Sequence, residues 1–261
     1  IGGIVFLYPL YGVEGLGWGV VFGAVLHMLV QLPFFASEKP QTHMPVREFR
    51  QELGRVLALS VPRTLSLGAG QISLIILTAL ASFMAPGSIA VFMFGWILQA
   101  VPLTIIGVSY SVAAFPTLSK LHAGGEAAEF VRHVEVALRH IFFWTIPATV
   151  LIIVLRAQLV RTILGVGAFD WAATRLTAAA LALFVLSLLA QSVSMLIARA
   201  YYAAGNTQKP FYFGLITVAT TVATALLFIA VFHGNYLWRD MLEQMLRVSD
   251  LPGTTVLMLA L

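Results

Sequence analysis

Long apolar stretches, each about the length of a bilayer crossing and almost free of charge, decide what this chain can fold into. A helix needs about 20 residues to cross the hydrocarbon. Runs of that kind recur at 16–35, 56–84, 89–118, 174–202 and 211–232. Ile141 to Leu155 is shorter and reaches span length once 134–138 join it. Residues 1–10 and 251–261 are apolar but too short, and read as partial spans. Charged residues make up 10% of the 261 positions and hydrophobic ones 60%, where a soluble domain is about 25% charged. So few charges cannot clothe a water-facing surface, and the surplus apolar area must face lipid. Inside lipid each segment has to satisfy its own backbone hydrogen bonds, which makes the spans helices; barrel strands would be shorter and would alternate. The expectation is an all-α polytopic membrane protein with about six complete and two partial spans. The chain opens on Ile1, and both ends fall inside apolar runs, which reads as an internal piece of a longer protein.

The cations test the span count. Lys39, Arg47, Arg50, Arg55, Arg63, Lys120, Arg132, Arg139, Arg199 and Lys209 fall at one set of alternating span ends; Arg156, Arg161, Arg175, Arg239 and Arg247 fall at the other. This two-to-one bias assigns the 37–55, 119–140 and 203–210 loops to the cytoplasm. A miscounted span would scramble it. The net charge of +4 is scattered between apolar runs, which fits orientation of spans better than nucleic-acid binding. In the most polar stretch, Val46, Phe49, Leu53, Val56 and Leu57 have the spacing of a short amphipathic helix lying on the membrane surface. Arg156 to Asp170 reads as a second surface helix ending at Gly165 or Gly167, and Met241, Leu242, Met245 and Leu246 mark a third short amphipathic piece. Glu129 with His133 and Glu135 with Arg139 have i,i+4 spacing.

Catalytic patterns are missing. The chain has no Cys, no paired carboxylates within a span, and no P-loop, dinucleotide or HExxH motif. No enzyme activity, metal or cofactor is expected. The span that follows Pro62 is instead rich in uncharged polar groups: Thr64, Ser66, Gln71, Ser73, Thr78 and Ser82, with Arg63 near its cytoplasmic end. A helix facing a wet cavity has this composition, and so does one bonded to its neighbours. Arg63 either snorkels to the interface or takes an anionic headgroup such as a diphosphate. Gln99 and Gln191, each mid-span, are packing glue or cavity groups, and His27 is a proton relay or an interhelical bond. His133 and His140 either meet a headgroup or belong to a solvated linker. Candidate substrate-binding residues are Arg63, Ser66, Gln71 and Gln99.

Ordered short motifs carry a resemblance. Gly17-Trp18-Gly19 through His27 to Gln31-Leu32-Pro33, Pro62-Arg63 with Gln71-Ile72-Ser73 and Ala81-Ser82-Phe83, Gly107-Val108, and Phe115-Pro116-Thr117-Leu118-Ser119 come first. Gly167-Ala168-Phe169, Ala198-Arg199-Ala200-Tyr201-Tyr202-Ala203, Asn206-Thr207 and Pro210 follow. Together, over about residues 10–232, they resemble the MurJ/MviN lipid II flippases of the multidrug/oligosaccharidyl-lipid/polysaccharide exporter superfamily. The resemblance implies two helical lobes around a cavity that opens alternately to either side of the bacterial plasma membrane. Residues 1–36 would end the first lobe, 37–55 would form a cytoplasmic linker, and 56–261 would make most of the second lobe. The implied cargo is the undecaprenyl-diphosphate-linked peptidoglycan precursor, with membrane lipids and cell-wall synthesis enzymes as further candidate partners. The chain departs from the family pattern at three places. Ile97, beside Trp96, stands where the eighth span usually has an arginine; Leu77 stands where an acid is common; and the eleventh span offers only Thr217, Thr220, Thr221 and Thr224. Diphosphate capture would then rest on Arg63 or on the first lobe. A flippase for another polyprenyl-linked glycan, a drug exporter and a non-transporting scaffold are the competing readings.

Overall fold

The structure is a computed structural model that describes residues 3–37, 46–165 and 169–261. It falls into two compact units, 1–55 and 56–261. In the first, a π-helical turn (Gly3–Leu7) leads into a four-residue helix, α1 (Tyr8–Tyr11), and then the long α2 (Val13–Ser37). Gly12 parts the two helices at φ +60, a backbone region that glycine enters without steric cost. On α2, His27 Nε2 lies 2.9 Å from Gln31 Nε2; the expected partner on another helix is replaced by one on the next turn.

Helix α3 (Val46–Ser82) covers both the amphipathic stretch and the span after it, so the separate surface helix expected at 46–57 is the first part of a longer helix. Residues 38–45 of the linker lie outside the described residues. The second unit continues with α4 (Ser88–Leu103), a π segment (Thr104–Val108), α5 (Ser109–Ala123), α6 (Ala127–Leu164), α7 (Trp171–Leu186), α8 (Leu188–Ala203), α9 (Gln208–Gly234), α10 (Tyr236–Leu246) and a 3₁₀ segment (Thr254–Leu259). Among the described residues four helices are long and apolar enough to cross a membrane, or five with α7 and α8 counted as one span. The expected span at 56–84 lies in α3, whose described apolar part is Gly70–Ser82.

Helix α7 is the hub. Its residues Thr174 and Leu176 to Val185 are buried, and its alanines 178, 179, 180 and 182 let neighbours approach closely, as small residues do between helices in lipid. Against it α4 brings Gly95, whose missing Cβ would stand 3.1 Å from the Phe184 ring and 3.3 Å from Ala180. Phe92 and Trp96 pack edge-on to Phe184, with centroids 5.5 and 5.8 Å away. Leu77 and Ala81 of α3, Ala225 and Phe232 of α9 and Leu242 and Leu246 of α10 complete this core. At the opposite end α5, α6 and α8 form a second core around Leu118, Ile141 and Leu196.

Three expectations about the second unit are corrected, two of them by the course of α6 and of the last residues. Of the linker expected at 119–140, the part from Ala127 on joins the short span at 141–155 and the surface helix from Arg156 in one unbroken helix, α6, which carries Pro147 without stopping, while 119–123 end α5. Gly167 and Ala168, beyond its end, lie outside the described residues. On its first turns Glu129 pairs with Arg132 at 2.6 Å, in place of His133, and His140 stacks on Tyr110 of α5. The stretch from Leu251, expected to open another span, makes the 3₁₀ segment instead, and Val256 to Ala260 are buried in the α4–α7–α9 core. Its entry is held by Thr254, whose hydroxyl donates to Glu243 Oε1 at 2.6 Å; the same carboxylate takes Arg239 at 2.9 Å. The expected amphipathic piece is α10, with Leu242 and Leu246 buried and Met241 and Met245 exposed. A further tie joins Arg175 of α7 to Asp250, with Nη1–Oδ2 2.7 Å and Nη2–Oδ1 2.6 Å. These bonds, with one from its own backbone, hold the Asp250 carboxyl below the usual carboxylate range.

Candidate functional site

The third correction concerns the run 174–202, expected as one span. It is broken after Leu186, and α7 and α8 meet there at 43°. Neither Gly nor Pro lies at the break. Ser187 Oγ donates to the Phe184 carbonyl at 2.7 Å, and the Ser187 amide turns to the same oxygen at 3.1 Å. A serine bonded to the preceding turn in this way competes with the helix ladder and bends it. The Ser187 oxygen also accepts from Gln191 Nε2 at 2.6 Å and from Gln99 Nε2, on α4, at 3.4 Å.

The neighbouring span is interrupted beside it. After Pro102, which supplies no amide hydrogen, the backbone widens into the π segment. Thr104 Oγ1 donates to the Ala100 carbonyl at 2.7 Å and Ser109 Oγ to the Thr104 carbonyl at 3.1 Å, so side chains satisfy carbonyls around the irregular turn. Gly107 in that turn touches α8 directly: a Cβ there would sit 2.8 Å from Ser192 Oγ and 3.0 Å from Ser192 Cα. Two adjacent spans are thus both interrupted where they meet, and polar side chains and one glycine join them.

The expected site residues divide around this junction. Gln99 is 1% exposed and sits inside it. Gln71 is exposed on α3. Arg63 and Ser66 fall on α3 by their backbone, and their side chains lie outside the described residues. Other polar groups of α3 are engaged at home: Thr78 Oγ1 donates to the Leu74 carbonyl and Ser82 Oγ to that of Ala79, both at 2.7 Å. The threonines of α9 do likewise, 217 to Phe213, 220 to Ile216 and 224 to Thr220. Ser187 is a functional candidate that sequence reading passed over, whereas Gly107 entered it only within the Gly107-Val108 motif. A serine four residues before a mid-span glutamine was the available signal. Exchanging Gln99 for leucine leaves Ser187 bonded to Phe184 and Gln191, so unfolding in detergent should shift by no more than about 1 kcal/mol. A larger loss would show that the α4 amide itself holds the junction.

Known proteins resemble this chain in sequence and in fold. The profile of the family described as Lipid II flippase MurJ matches residues 1–238. The Lipid II flippase MurJ of Burkholderia cenocepacia is 30% identical over 206 residues, which cover 77% of this chain and 39% of that protein. The probable lipid II flippase MurJ of Bdellovibrio bacteriovorus is 27% identical over 81% of this chain and 40% of its own. The chain therefore spans about two fifths of the length of these curated relatives. A solved structure titled Lipid II flippase MurJ, inward closed conformation, superposes with a TM-score of 0.69 at 23% identity, over 98% of this chain and 49% of that one. That likeness is one of fold. With its apolar helices, the chain is a multi-pass protein of the bacterial inner membrane. A profile match over residues 1–238 settles its place: the chain belongs to the MurJ family of lipid II flippases.

Proposed function

We propose that the whole protein moves the undecaprenyl-diphosphate-linked peptidoglycan precursor from the cytoplasmic to the periplasmic leaflet by alternating access. The observation that carries the reading is the family match over residues 1–238. The paired interruptions at the π segment and at Ser187 support it, because bent or broken spans are where transporter lobes rock. On this reading 1–36 close the first lobe, 37–55 link the lobes and 56–261 form most of the second. No covalent step is required: the headgroup crosses through the cavity while the lipid tail stays in the bilayer. An ion gradient or the membrane potential would bias the two open states by acting on them unequally. Arg63, Ser66 and Gln71 would face the headgroup, and Gln99 would join them only when the α4–α8 junction opens. Cell-wall synthesis enzymes are the protein partners this reading suggests.

The test is complementation. The complete gene is expressed in a bacterium whose own lipid II flippase can be shut off, and the lipid II reached by a periplasmic probe is measured. Restored exposure is expected, falling at least about tenfold in Arg63→Ala if its guanidinium takes the diphosphate. Inserted, stable protein that restores nothing would transfer the assignment to another polyprenyl-linked cargo or to a scaffold role.

A further inference from the structure

At the end of the second unit that the charge bias assigns to the outside, a cavity of about 610 Å³ opens between α6, α7 and the end of α10. Outward cations are scarce in this chain: Arg156, Arg161, Arg175, Arg239 and Arg247. Two are engaged elsewhere, Arg161 with the Phe169 carbonyl at 3.3 Å and Arg239 with Glu243. The other three line this one cavity. Arg175 is neutralised by Asp250 and also donates to the backbone carbonyl of Arg247. The nearby Asp170 carboxylate caps α7, accepting from the Ala173 amide at 2.7 Å. Arg156 and Arg247 have no side-chain hydrogen bond or ion pair among the described residues, so two positive charges remain uncompensated.

The backbone adds a second observation. Arg247 ends α10 at φ 60 and ψ 47, the left-handed cap that glycine usually supplies. Arginine there costs on the order of 1 kcal/mol that glycine would not, so its gain must lie in the side chain. Around the two free guanidinium groups the wall is apolar, with Val154, Trp171 and Leu246 in the lining. Val154 and Trp171 are largely exposed, as lipid-facing and interfacial side chains would be.

We propose that this cavity holds an anionic phospholipid of the outer leaflet, its phosphate between Arg156 and Arg247 and an acyl chain along Val154 and Trp171. Two guanidinium groups match a phosphodiester, and a cavity of a few hundred Å³ suits a headgroup and its first methylenes. The assignment is independent of which cargo the protein carries.

The experiment uses the full-length protein, stripped of lipid in detergent and offered equal phosphatidylglycerol and phosphatidylcholine, with retained lipid read by native mass spectrometry. The intact protein should prefer phosphatidylglycerol about tenfold. The double variant Arg156→Gln/Arg247→Gln should lose that preference at an unchanged thermal midpoint, and Arg161→Gln, outside the cavity, should keep it. Should the double variant fail to fold, Arg156→Gln alone still has to reduce the preference. An undiminished preference in the folded variants overturns the proposal. So does displacement of the lipid by inorganic phosphate, which would make this a free-anion site, or a stronger hold on a polyprenyl diphosphate, which would make it a cargo site.

Discussion

Replacing Phe92 by alanine should destabilise the detergent-solubilised protein by about 3–5 kcal/mol. Phe92 is fully buried on α4, and its ring meets Phe184 edge-on where α4 and α7 approach over Gly95 and Ala180. Lipid solvates an apolar side chain as well as another helix does, so packing is what holds such helices together. Truncation removes the ring from both the Phe184 contact and the surrounding core, leaving a cavity that the alanine-rich α7 cannot fill. Ile97→Ala, on the same helix but exposed, should cost a small fraction of that. Tryptophan fluorescence during thermal unfolding reads both. Equal, small losses would mean that the α4–α7 seam is not the centre of the unit.

Gly107→Val should cost about 1–3 kcal/mol or more, from overpacking against α8. The nearest obstacle, Ser192 Oγ, can be removed, but Ser192 Cα at 3.0 Å is backbone and cannot yield without moving a helix. Ser192→Ala is therefore expected to rescue only part of the loss, and a double-mutant cycle measures that part. Under the proposed transport cycle the variant should also slow the exposure of lipid II beyond what its lost stability explains. A Gly107→Val protein as stable as the parent would show that the two spans do not cross this closely.

Helix class and the apolar spans in α2, α4–α5 and α9 were legible because lipid demands long, uncharged helical segments. The break at Ser187 was not, since the residues around it, Ala178 to Ala190, are apolar apart from Ser187 itself, and the cause is one hydroxyl bonded to the preceding turn. α6 was read in three pieces because charge content changes along it, though the backbone continues past the apolar stretch at both ends. The Leu251–Leu261 stretch is apolar, yet the hydrogen bond from its own Thr254 to Glu243 of α10 fixes a tight turn in the core. At the candidate site, polarity drew attention to Gln99 and Gln191. Their common partner Ser187 lies 88 residues from Gln99, a pairing that no local pattern encodes.

The continuity of α6 constrains how this chain can vary. The helix is gripped at two places, by Ala137 and Ile141 near its start and by Val160 near its end. Between them Phe143, Trp144, Val150 and Leu151 are exposed, and other apolar side chains should serve there as well. A single inserted or deleted residue between the grips would turn one of them by about 100° relative to the other. Apolar substitutions at these four exposed positions should be freely accepted over time, while the number of residues between the grips stays fixed.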